Sequence, residues 1–221
     1  MALYIDSAYL PEIIAAAGTV PVAGVTTNPT ILLSARERGQ KLSPHQLLKD
    51  LLRELTGNIF MQPGDVEEEN MYSQAMSYLE IDSSRVILKI PMIAVGMRIA
   101  RRLKQDNHRV AFTAVTSVAQ AYSAAMGQAD FVIPYYNRLE RAGVDADERI
   151  AEMAELFHNQ QLPTRILAAS IKSPQEAISA LAAGAHDITA APGVLLDMIT
   201  DPQTDEAVEK FSQDWQKLKS E

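Results

Sequence analysis

The sequence of 221 residues contains no cysteine, which excludes disulfide bonds and catalysis by a cysteine thiolate. Basic residues are also few, since 20 Lys and Arg stand against 28 Asp and Glu, for a formal net charge of -8. Nucleic acids and anionic membranes recruit proteins through basic surfaces. We therefore expect neither nucleic acid nor a membrane as a partner.

Long apolar runs are absent as well. None approaches the roughly 20 residues of a transmembrane helix, and no basic segment followed by an apolar one resembles a secretory signal. No Pro/Gly/Ser-rich linker or shift in composition divides the chain. Because 47% of the residues are hydrophobic, enough for one sizeable core, we expect a single domain over residues 1–221 and a cytoplasmic location.

What the sequence does contain is a regular alternation of short apolar stretches and longer amphipathic patterns. The short stretches have the length and composition of strands. They lie at 3–5, 23–26, 58–61, 85–90, 109–114, 129–134, 164–170 and 186–189. Helical patterns are found at 10–17, 31–35, 44–55, 66–79, 94–104, 117–126, 145–160, 174–183, 192–199 and 205–218.

This alternation predicts the fold. Strands that are apolar on both faces and alternate with helices favour a parallel sheet. Eight such units in a chain of this length predict a closed (β/α)8 TIM barrel, with an additional C-terminal helix. An open doubly wound sheet is the alternative, but "GVTTNP" (24–29) lacks the G-x-G-x-x-G pattern and no GxxxxGK[ST] loop is present.

Polar side chains stand at the predicted C-terminal ends of the strands, where TIM barrels hold their active sites. Taken singly, each has an ordinary explanation, because polar residues often end strands and Asn-Pro or Ser-Pro pairs begin turns and helices. Their occurrence on seven strands favours a site, to which the eighth strand adds only Thr189. In chain order they are Asp6, Thr26, Thr27, Asn28, Gln62, Lys89, Thr113, Tyr135, Asn137, Arg138, Ser170 and Lys172.

Lys89 interrupts the apolar strand "RVILKIPM" (85–92). The two-residue period of a strand places its side chain on the face of Ile87 and Pro91, toward the barrel axis. Burial there disfavours the ammonium form and leaves a neutral amine, which attacks carbonyl carbons. A lysine whose stem is buried and whose head reaches water is the structural alternative. The other polar groups on the same rim favour the nucleophile.

Several segments together give the chain its resemblance to a known family. In order they are "AGVTTNPTI" (23–31), "VILKIP" (86–91), "PYYNR" (134–138), "ILAASIKSP" (166–174) and "KFSQDWQ" (210–216). The sequence resembles the transaldolase family of class I aldolases, and more closely its short fructose-6-phosphate aldolase branch. The resemblance implies a (β/α)8 barrel without a metal or organic cofactor, a Schiff-base lysine at Lys89 and a carboxylate at Asp6.

The resemblance also implies a homo-oligomer, either a pentamer or a decamer of two stacked pentameric rings. The C-terminal helix, at 202–221, is then expected to pack on a neighbouring subunit. Phe211 and Trp215 would be the docking groups on that helix. Ordinary packing of both side chains on their own subunit is the alternative.

Within the family, aldolases have Gln on strand three and Tyr on strand six, where transaldolases have Glu and Phe. This chain has Gln62 and Tyr135. A tyrosine hydroxyl can hold a water and exchange a proton with it, and a phenylalanine cannot. We expect Gln62, Thr113 and Tyr135 to share a catalytic water.

The expected reaction is that of a class I aldolase, which cleaves or forms a ketose phosphate such as fructose 6-phosphate from dihydroxyacetone and glyceraldehyde 3-phosphate. A transaldolase that transfers a dihydroxyacetone unit between sugar phosphates is the alternative. A third possibility is a barrel that only binds or isomerises phosphosugars, with Lys89 as a counter-ion.

The resemblance further assigns the contacts to substrate. Thr26 and Asn28 are expected to bind the hydroxyls of the donor or to orient the catalytic side chains. Arg138, Ser170 and Lys172 are expected to bind the phosphate, a role that suits a guanidinium fork, a hydroxyl and a point charge. Solvated loop charge is the weaker interpretation, because the three groups follow neighbouring strands.

Two segments are among the features that depart from the family pattern, with Tyr9 and the loop at 139–149. After K-I-P the family usually continues with Thr and then a Glu-Gly pair, whereas "MIAVGM" (92–97) is apolar and has Val95 in place of the Glu. The segment "AAPGV" (190–194) is unusual as well. Both surround the expected pocket and leave the Schiff-base lysine in place. They leave the identity of the donor and acceptor open, including a sulfonated ketose.

The histidines do not suggest a metal enzyme. A zinc-dependent aldolase would need metal ligands gathered near the strand ends. Instead His45, His108, His158 and His186 fall on predicted helices or at the starts of predicted strands. No metal site is predicted.

Overall fold

The structure, a computed structural model, describes residues 1–219. Within them, eight parallel strands pair in chain order, and the first also pairs with the last, so the sheet closes into a barrel. This confirms the predicted (β/α)8 fold. The strands are β1 (Ala2–Asp6), β2 (Gly24–Thr26), β3 (Asn58–Met61), β4 (Val86–Pro91), β5 (Val110–Val115), β6 (Phe131–Pro134), β7 (Arg165–Ile171) and β8 (Asp187–Ala190).

The helices lie between the strands and after the last one. Two of them, the second and third, occupy the connection from β2 to β3. In order they are α1 (Leu10–Ala17), α2 (Pro29–Glu37), α3 (Pro44–Glu54), α4 (Glu68–Asp82), α5 (Ala94–Gln105), α6 (Val118–Met126), α7 (Tyr136–Arg141), α8 (Ala146–Asn159), α9 (Pro174–Ala182), α10 (Pro192–Asp197) and α11 (Pro202–Lys219).

Helix starts are encoded locally. Ser43, Ser117, Asp145 and Ser173 each accept, through a side-chain oxygen, the backbone N–H three residues further on. Such N-caps satisfy one of the N–H groups that the first turn of a helix leaves unpaired. This is why the sequence predicts the starts of α3, α6, α8 and α9 closely.

Helix α7 was not predicted. The sequence predicts no helix between the strand at 129–134 and the helix at 145–160, but residues 136–141 form a short helix directly after β6. Six residues are too few to show a helical period, and Tyr135 at the N-cap position makes no side-chain cap that would signal a start. The helix moves Asn137 and Arg138 from the end of a strand to the first turn of a helix.

The core has two layers that follow the alternation of the strands. On β4, Val86, Leu88 and Ile90 join the layer between sheet and helices, while Ile87 faces the interior of the barrel. Lys89 shares the inward face with Ile87, as predicted. The interior layer consists of Tyr4, Phe60, Ile87, Ala111, Phe131, Ile133, Leu167 and Ala169. It fills the barrel beneath the strand ends and gives the site a packed floor.

Helix α11 differs from the others because none of its described residues is buried. Its exposed apolar side chains follow one another at helical spacing: Val208, Phe211, Trp215 and Leu218. In the part of the chain that the structure describes, residues 1–219, no helix combines the length and apolar character needed to cross a membrane.

Candidate active site

Lys89 lies inside the mouth of the barrel. Its side chain is 2% exposed, and its Nζ donates a hydrogen bond to the carbonyl oxygen of Thr27 at 3.2 Å. Thr27 is itself fixed, because its hydroxyl and its N–H both donate to the carbonyl oxygen of Phe60. The amine is therefore held in place and does not reach bulk water. This differs from the alternative in which only the stem of the lysine is buried and its head reaches water.

Asp6, at the end of β1, belongs to a chain of hydroxyls that crosses three strands. The hydroxyl of Thr26 donates to Asp6 Oδ1 at 2.7 Å and lies 2.6 Å from the hydroxyl of Thr189. A hydroxyl has one proton, so when Thr26 donates to Asp6, Thr189 donates to Thr26. Both threonines are buried. The network holds the carboxylate at the end of β1. It includes Thr189 of β8, which the sequence placed among the strand-end residues without giving it a role.

Burial raises the pKa of the Asp6 carboxyl above its ordinary value. The positive charge of Lys89 opposes this effect, as do the hydrogen bond from Thr26 and the charge of Lys172. The carboxyl thus lies within electrostatic range of both lysines. A raised pKa makes a carboxylate a stronger base, which suits a general acid–base role.

Thr113 and Tyr135 are brought together at the ends of β5 and β6. Their hydroxyl oxygens lie 2.8 Å apart, and either can be the donor. Thr113 is 1% exposed, whereas Tyr135 is half-buried. The neighbouring Tyr136 has a different environment: burial and its hydrogen bond to Asp147 raise its pKa to about 12. Of the two adjacent tyrosines, only Tyr135 faces the site.

Gln62 follows β3, as predicted, but it is not joined to this pair through its side-chain oxygen. Its Oε1 is buried, and the described part of the chain offers that atom no hydrogen-bond partner. A buried carbonyl oxygen without a donor costs about 1–3 kcal/mol and is uncommon. Such an atom is a natural acceptor for a water or for a hydroxyl of a ligand.

Asn28 has a structural role that the sequence also allowed. Its Oδ1 accepts the N–H of Ile31 at 2.9 Å and caps the start of α2. Asn28-Pro29 thus begins a helix, where the ordinary interpretation of the pair was a turn. The NH₂ group of the same side chain remains a possible donor to a ligand.

Arg138, Ser170 and Lys172 lie at the ends of β6 and β7, which are neighbours in the barrel. The Arg138 guanidinium stands over the ring of Tyr135, 4.4 Å from its centroid. Arg138 and Lys172 are exposed, and Ser170 is half-buried. The three side chains therefore lie on one side of the rim, and their role as phosphate ligands stays a prediction.

Two strands that flank β6 end in irregular backbone. The strand register shifts between Thr113 and Val115 in β5, and between Ala168 and Ile171 in β7. Ala114 and Ser170 occupy these shifts with φ of 59° and 63°, in the left-handed region that non-glycine residues rarely adopt. β-Bulges of this kind redirect side chains and are frequent beside active sites.

Glu176, in the first turn of α9, is a site neighbour that sequence reasoning missed. Its Oε1 accepts from Asn137 Nδ2 at 3.1 Å and its Oε2 accepts from the N–H of Lys172 at 2.8 Å. The Ser173 to Glu176 spacing, S-x-x-E, is the signal that was available. That signal predicts a helix cap, but not the bond to Asn137.

The site offers no metal ligands in the usual grouping. Within residues 1–219, His, Asp and Glu side chains do not converge in threes at any point. His45 and His158 lie on α3 and α8, while His108 and His186 precede β5 and β8, away from the strand ends that carry Lys89.

A cleft of about 790 Å³ lies at the opposite end of the barrel, before β7 and β8. Phe157, His158, Leu162 and His186 contribute to its walls. It is separate from the barrel mouth. The convergence of titratable and hydroxyl side chains, rather than the volume of a depression, therefore locates the candidate active site.

Comparison with known proteins shows which family the whole chain resembles. A family model described as "Transaldolase/Fructose-6-phosphate aldolase" matches residues 3–221. A "Probable transaldolase" of Desulforudis audaxviator is 36% identical over 219 residues, which cover 99% of both chains. A "Probable transaldolase" of Symbiobacterium thermophilum is 33% identical over 219 residues, with the same coverage. A "Probable fructose-6-phosphate aldolase" of Streptococcus pneumoniae is 34% identical over 218 residues, or 97% of this chain and 96% of that protein.

Proposed function

The chain belongs to the transaldolase/fructose-6-phosphate aldolase family, and on that premise we propose that it is a class I aldolase. The reaction is the cleavage or formation of a ketose phosphate such as fructose 6-phosphate, through a Schiff base on Lys89. The observation that supports this most is the placement of Lys89. Its amine is buried at the strand ends, within electrostatic range of Asp6 and beneath a rim of hydroxyl groups.

In the first step, the Nζ of Lys89 attacks the C2 carbonyl carbon of the ketose. A C–N bond forms, the carbonyl oxygen takes up a proton, and the resulting carbinolamine loses water to give the iminium. Asp6 supplies and recovers the protons of this sequence. The carbonyl of Thr27 accepts one N–H of Lys89, which orients the amine before the attack.

In the second step, the C3–C4 bond breaks. The C4 hydroxyl loses its proton to a water held by Tyr135 and Thr113, an aldehyde leaves, and the electron pair of the bond remains on the nitrogen-bound fragment as an enamine. Gln62 is assigned to the same water, because its buried Oε1 has no partner within the described residues and can accept a hydrogen bond. A proton then returns to C3, and hydrolysis of the imine releases dihydroxyacetone. A positioned proton shuttle is typically worth about 10²–10⁴ in rate.

The phosphate of the substrate is assigned to Arg138, Ser170 and Lys172. Charge-assisted hydrogen bonds from a guanidinium and an ammonium are about twice as strong as neutral ones. Their position at the ends of β6 and β7 supports a phosphate site at the side of the barrel mouth, with Lys89 further toward the axis. Thr26 and Asn28 are assigned to the donor: Thr26 orients Asp6, and the NH₂ of Asn28 donates to a hydroxyl.

Transaldolase activity is the second candidate, since two of the relatives carry that name. In that reaction the enamine is captured by another aldose phosphate. The Thr113–Tyr135 hydroxyl pair favours the aldolase, because two hydroxyls held 2.8 Å apart are suited to position a water that protonates the enamine. The test is to incubate the purified protein with fructose 6-phosphate, with and without erythrose 4-phosphate. An aldolase releases dihydroxyacetone without the acceptor, whereas a transaldolase consumes the donor only when the acceptor is present. If fructose 6-phosphate is consumed in neither case, both enzymatic candidates fail and a barrel that only binds phosphosugars remains.

We also propose that each chain is one catalytic domain and that α11 packs on a neighbouring copy. The exposed stripe of Val208, Phe211, Trp215 and Leu218 supports this, because Phe211 is 68% and Trp215 57% exposed on a single chain. Exposed apolar stripes of this kind are typical of interfaces. A pentamer or a decamer is the expected assembly. The expected helix runs to residue 221, and residues 220 and 221 lie outside the described residues.

A further inference from the structure

Glu176 connects two of the segments that carry the phosphate ligands. Its carboxylate accepts a hydrogen bond from Asn137, in the first turn of α7, and another from the N–H of Lys172. Its own N–H donates to the N-cap Ser173. Asn137 directly precedes Arg138. One side chain therefore ties the segment of Arg138 to the segment of Lys172, across the gap between β6 and β7.

The bond to Asn137 is not needed to cap a helix. In the usual capping box, the acidic side chain three residues after the cap accepts the N–H of the cap residue itself. Helix α6 has a variant of it, in which Gln120 Oε1 accepts the N–H of Thr116, one residue before the cap, at 2.9 Å. Glu176 makes the same local bond to Lys172. It differs from Gln120 because its second oxygen reaches another element.

Charge alone would make Glu176 unfavourable at this position. An additional carboxylate beside Arg138 and Lys172 repels the phosphate that both are expected to bind. It also takes the N–H of Lys172, a backbone donor that an anion could use. A benefit of Glu176 to binding must therefore come from the geometry it imposes.

We propose that Glu176 is a positioning residue that fixes the spacing of Arg138 and Lys172 and so pre-arranges them for the phosphate of the substrate. This rests on the proposed function, because the substrate must carry a phosphate or a similar anion at this end of the pocket. Neither cation is buried, so ordering each of them on binding costs free energy. The two hydrogen bonds that Glu176 accepts, from Asn137 and from Lys172, form a clamp between the two segments. Because this clamp exists before binding, it reduces that cost.

Two substitutions separate the clamp from the charge. Glu176→Ala removes both hydrogen bonds and the charge. Glu176→Gln keeps the clamp, since the amide oxygen accepts from Lys172 and the amide NH₂ donates to Asn137 Oδ1 once the Asn137 amide is turned over. Gln120→Ala is the matched control, because it removes the equivalent helix-cap bond from α6, away from the phosphate ligands.

The experiment measures kcat and KM with fructose 6-phosphate, the same constants with dihydroxyacetone and a non-phosphorylated aldehyde, and the Kd of inorganic phosphate by calorimetry. For Glu176→Ala we expect KM for the sugar phosphate and Kd for phosphate to rise on the order of 10-fold, with the non-phosphorylated reaction unchanged. Glu176→Gln should restore wild-type or tighter phosphate binding. Gln120→Ala should lower the melting temperature without changing KM for the sugar phosphate or Kd for phosphate.

Three results would overturn the inference: an unchanged or lower Kd for phosphate in Glu176→Ala, an equal loss in Gln120→Ala, or no phosphate binding by the wild type. Failure of the proposed function gives a different result. In that case the wild type forms no covalent adduct at Lys89, yet still binds inorganic phosphate more tightly than Glu176→Ala does, and the positioning role of Glu176 stands.

Discussion

The hydroxyl oxygens of Thr113 and Tyr135 lie 2.8 Å apart, across the ends of two neighbouring strands. Thr113 is almost fully buried, so its hydroxyl has few alternatives to this partner. Tyr135 is half-buried and has the guanidinium of Arg138 over its ring. The pair therefore presents one phenolic hydroxyl, fixed from both sides, to whatever occupies the barrel mouth.

Replacing Tyr135 by Phe removes that hydroxyl and keeps the ring beneath Arg138. We expect kcat for cleavage of fructose 6-phosphate to fall about 10²–10⁴-fold, the usual contribution of a positioned acid–base group. Imine formation at Lys89 should persist, because it does not use this hydroxyl. Steady-state kinetics and borohydride trapping measure the two steps separately.

Tyr136→Phe is the control for that substitution. It removes the hydrogen bond to Asp147 on α8, which is outside the site, and should cost roughly 1 kcal/mol of stability. Cleavage should stay at the wild-type rate. If Tyr136→Phe impaired cleavage as much as Tyr135→Phe, or if Tyr135→Phe were fully active, the assignment of the proton shuttle to Tyr135 would be wrong.

The raised pKa of Asp6 predicts how stability depends on pH. A carboxyl with a higher pKa in the folded than in the unfolded state contributes stability that is complete below the unfolded pKa, about 3.9, and is lost as pH rises through the folded pKa. Asp6→Asn keeps an acceptor for Thr26, but its side chain does not ionise. The variant therefore does not lose this stability as pH rises. The variant should therefore gain stability relative to wild type as pH rises from about 4, while losing activity. Urea unfolding across that range measures the difference.

The pKa of Asp82 is shifted in the opposite direction to that of Asp6. The hydrogen bond from the Ser84 hydroxyl lowers the pKa of this carboxyl, with help from nearby backbone N–H groups. Its stabilising effect is present above the unfolded pKa and is lost as pH falls. Asp82→Asn should therefore lose stability relative to wild type as pH rises. Parallel trends for Asp6→Asn and Asp82→Asn would contradict the account of Asp6.

His186, before β8, predicts a separate loss of stability in acid. Its Nδ1 accepts the N–H of Ile166 at 3.0 Å, and burial, followed by the charge of Arg165, lowers its pKa. The neutral form thus stabilises the fold above an unfolded pKa of about 6.5, and this contribution is lost as pH falls through the folded pKa. Asparagine offers an acceptor that does not titrate. The unfolding free energy of His186→Asn should fall less than that of wild type between pH 7 and pH 5, and an equal fall would count against this role.

The sequence predicted the barrel because the information for it is local. Every predicted strand overlaps an observed one, with ends displaced by no more than two residues. Serine and proline at the helix starts, as at Ser173-Pro174, carry their own signal. The inward face of Lys89 followed from the two-residue period of a single strand.

What could not be predicted depends on residues that are distant in the chain or on backbone with no sequence signal. The hydroxyl of Thr189 meets that of Thr26, 163 positions away, and only the closed barrel brings them together. The bulges place Ala114 and Ser170 at positive φ, where glycine would have been the usual signal. The bond from Asn137 to Glu176 needed α7, which is too short to predict.

The apolar stripe of α11 predicts an assembly in solution. Phe211→Glu places a charge on a face that, buried against a neighbour, would contribute about 1.5–3 kcal/mol per large side chain. We expect wild type to sediment as a pentamer or a decamer and Phe211→Glu as a smaller species. Gln213→Glu adds the same charge to the opposite face of the helix and should leave the assembly intact. A wild-type monomer, or dissociation by Gln213→Glu alone, would contradict the proposal.

The central claim is that the buried amine of Lys89 forms a covalent imine with a ketone substrate. Borohydride reduction in the presence of dihydroxyacetone or fructose 6-phosphate, followed by peptide mass spectrometry, tests it directly. We predict a reduced adduct on the peptide that contains Lys89, and neither adduct nor activity in Lys89→Met. The absence of an adduct from the wild type, or cleavage at the wild-type rate by Lys89→Met, would contradict it.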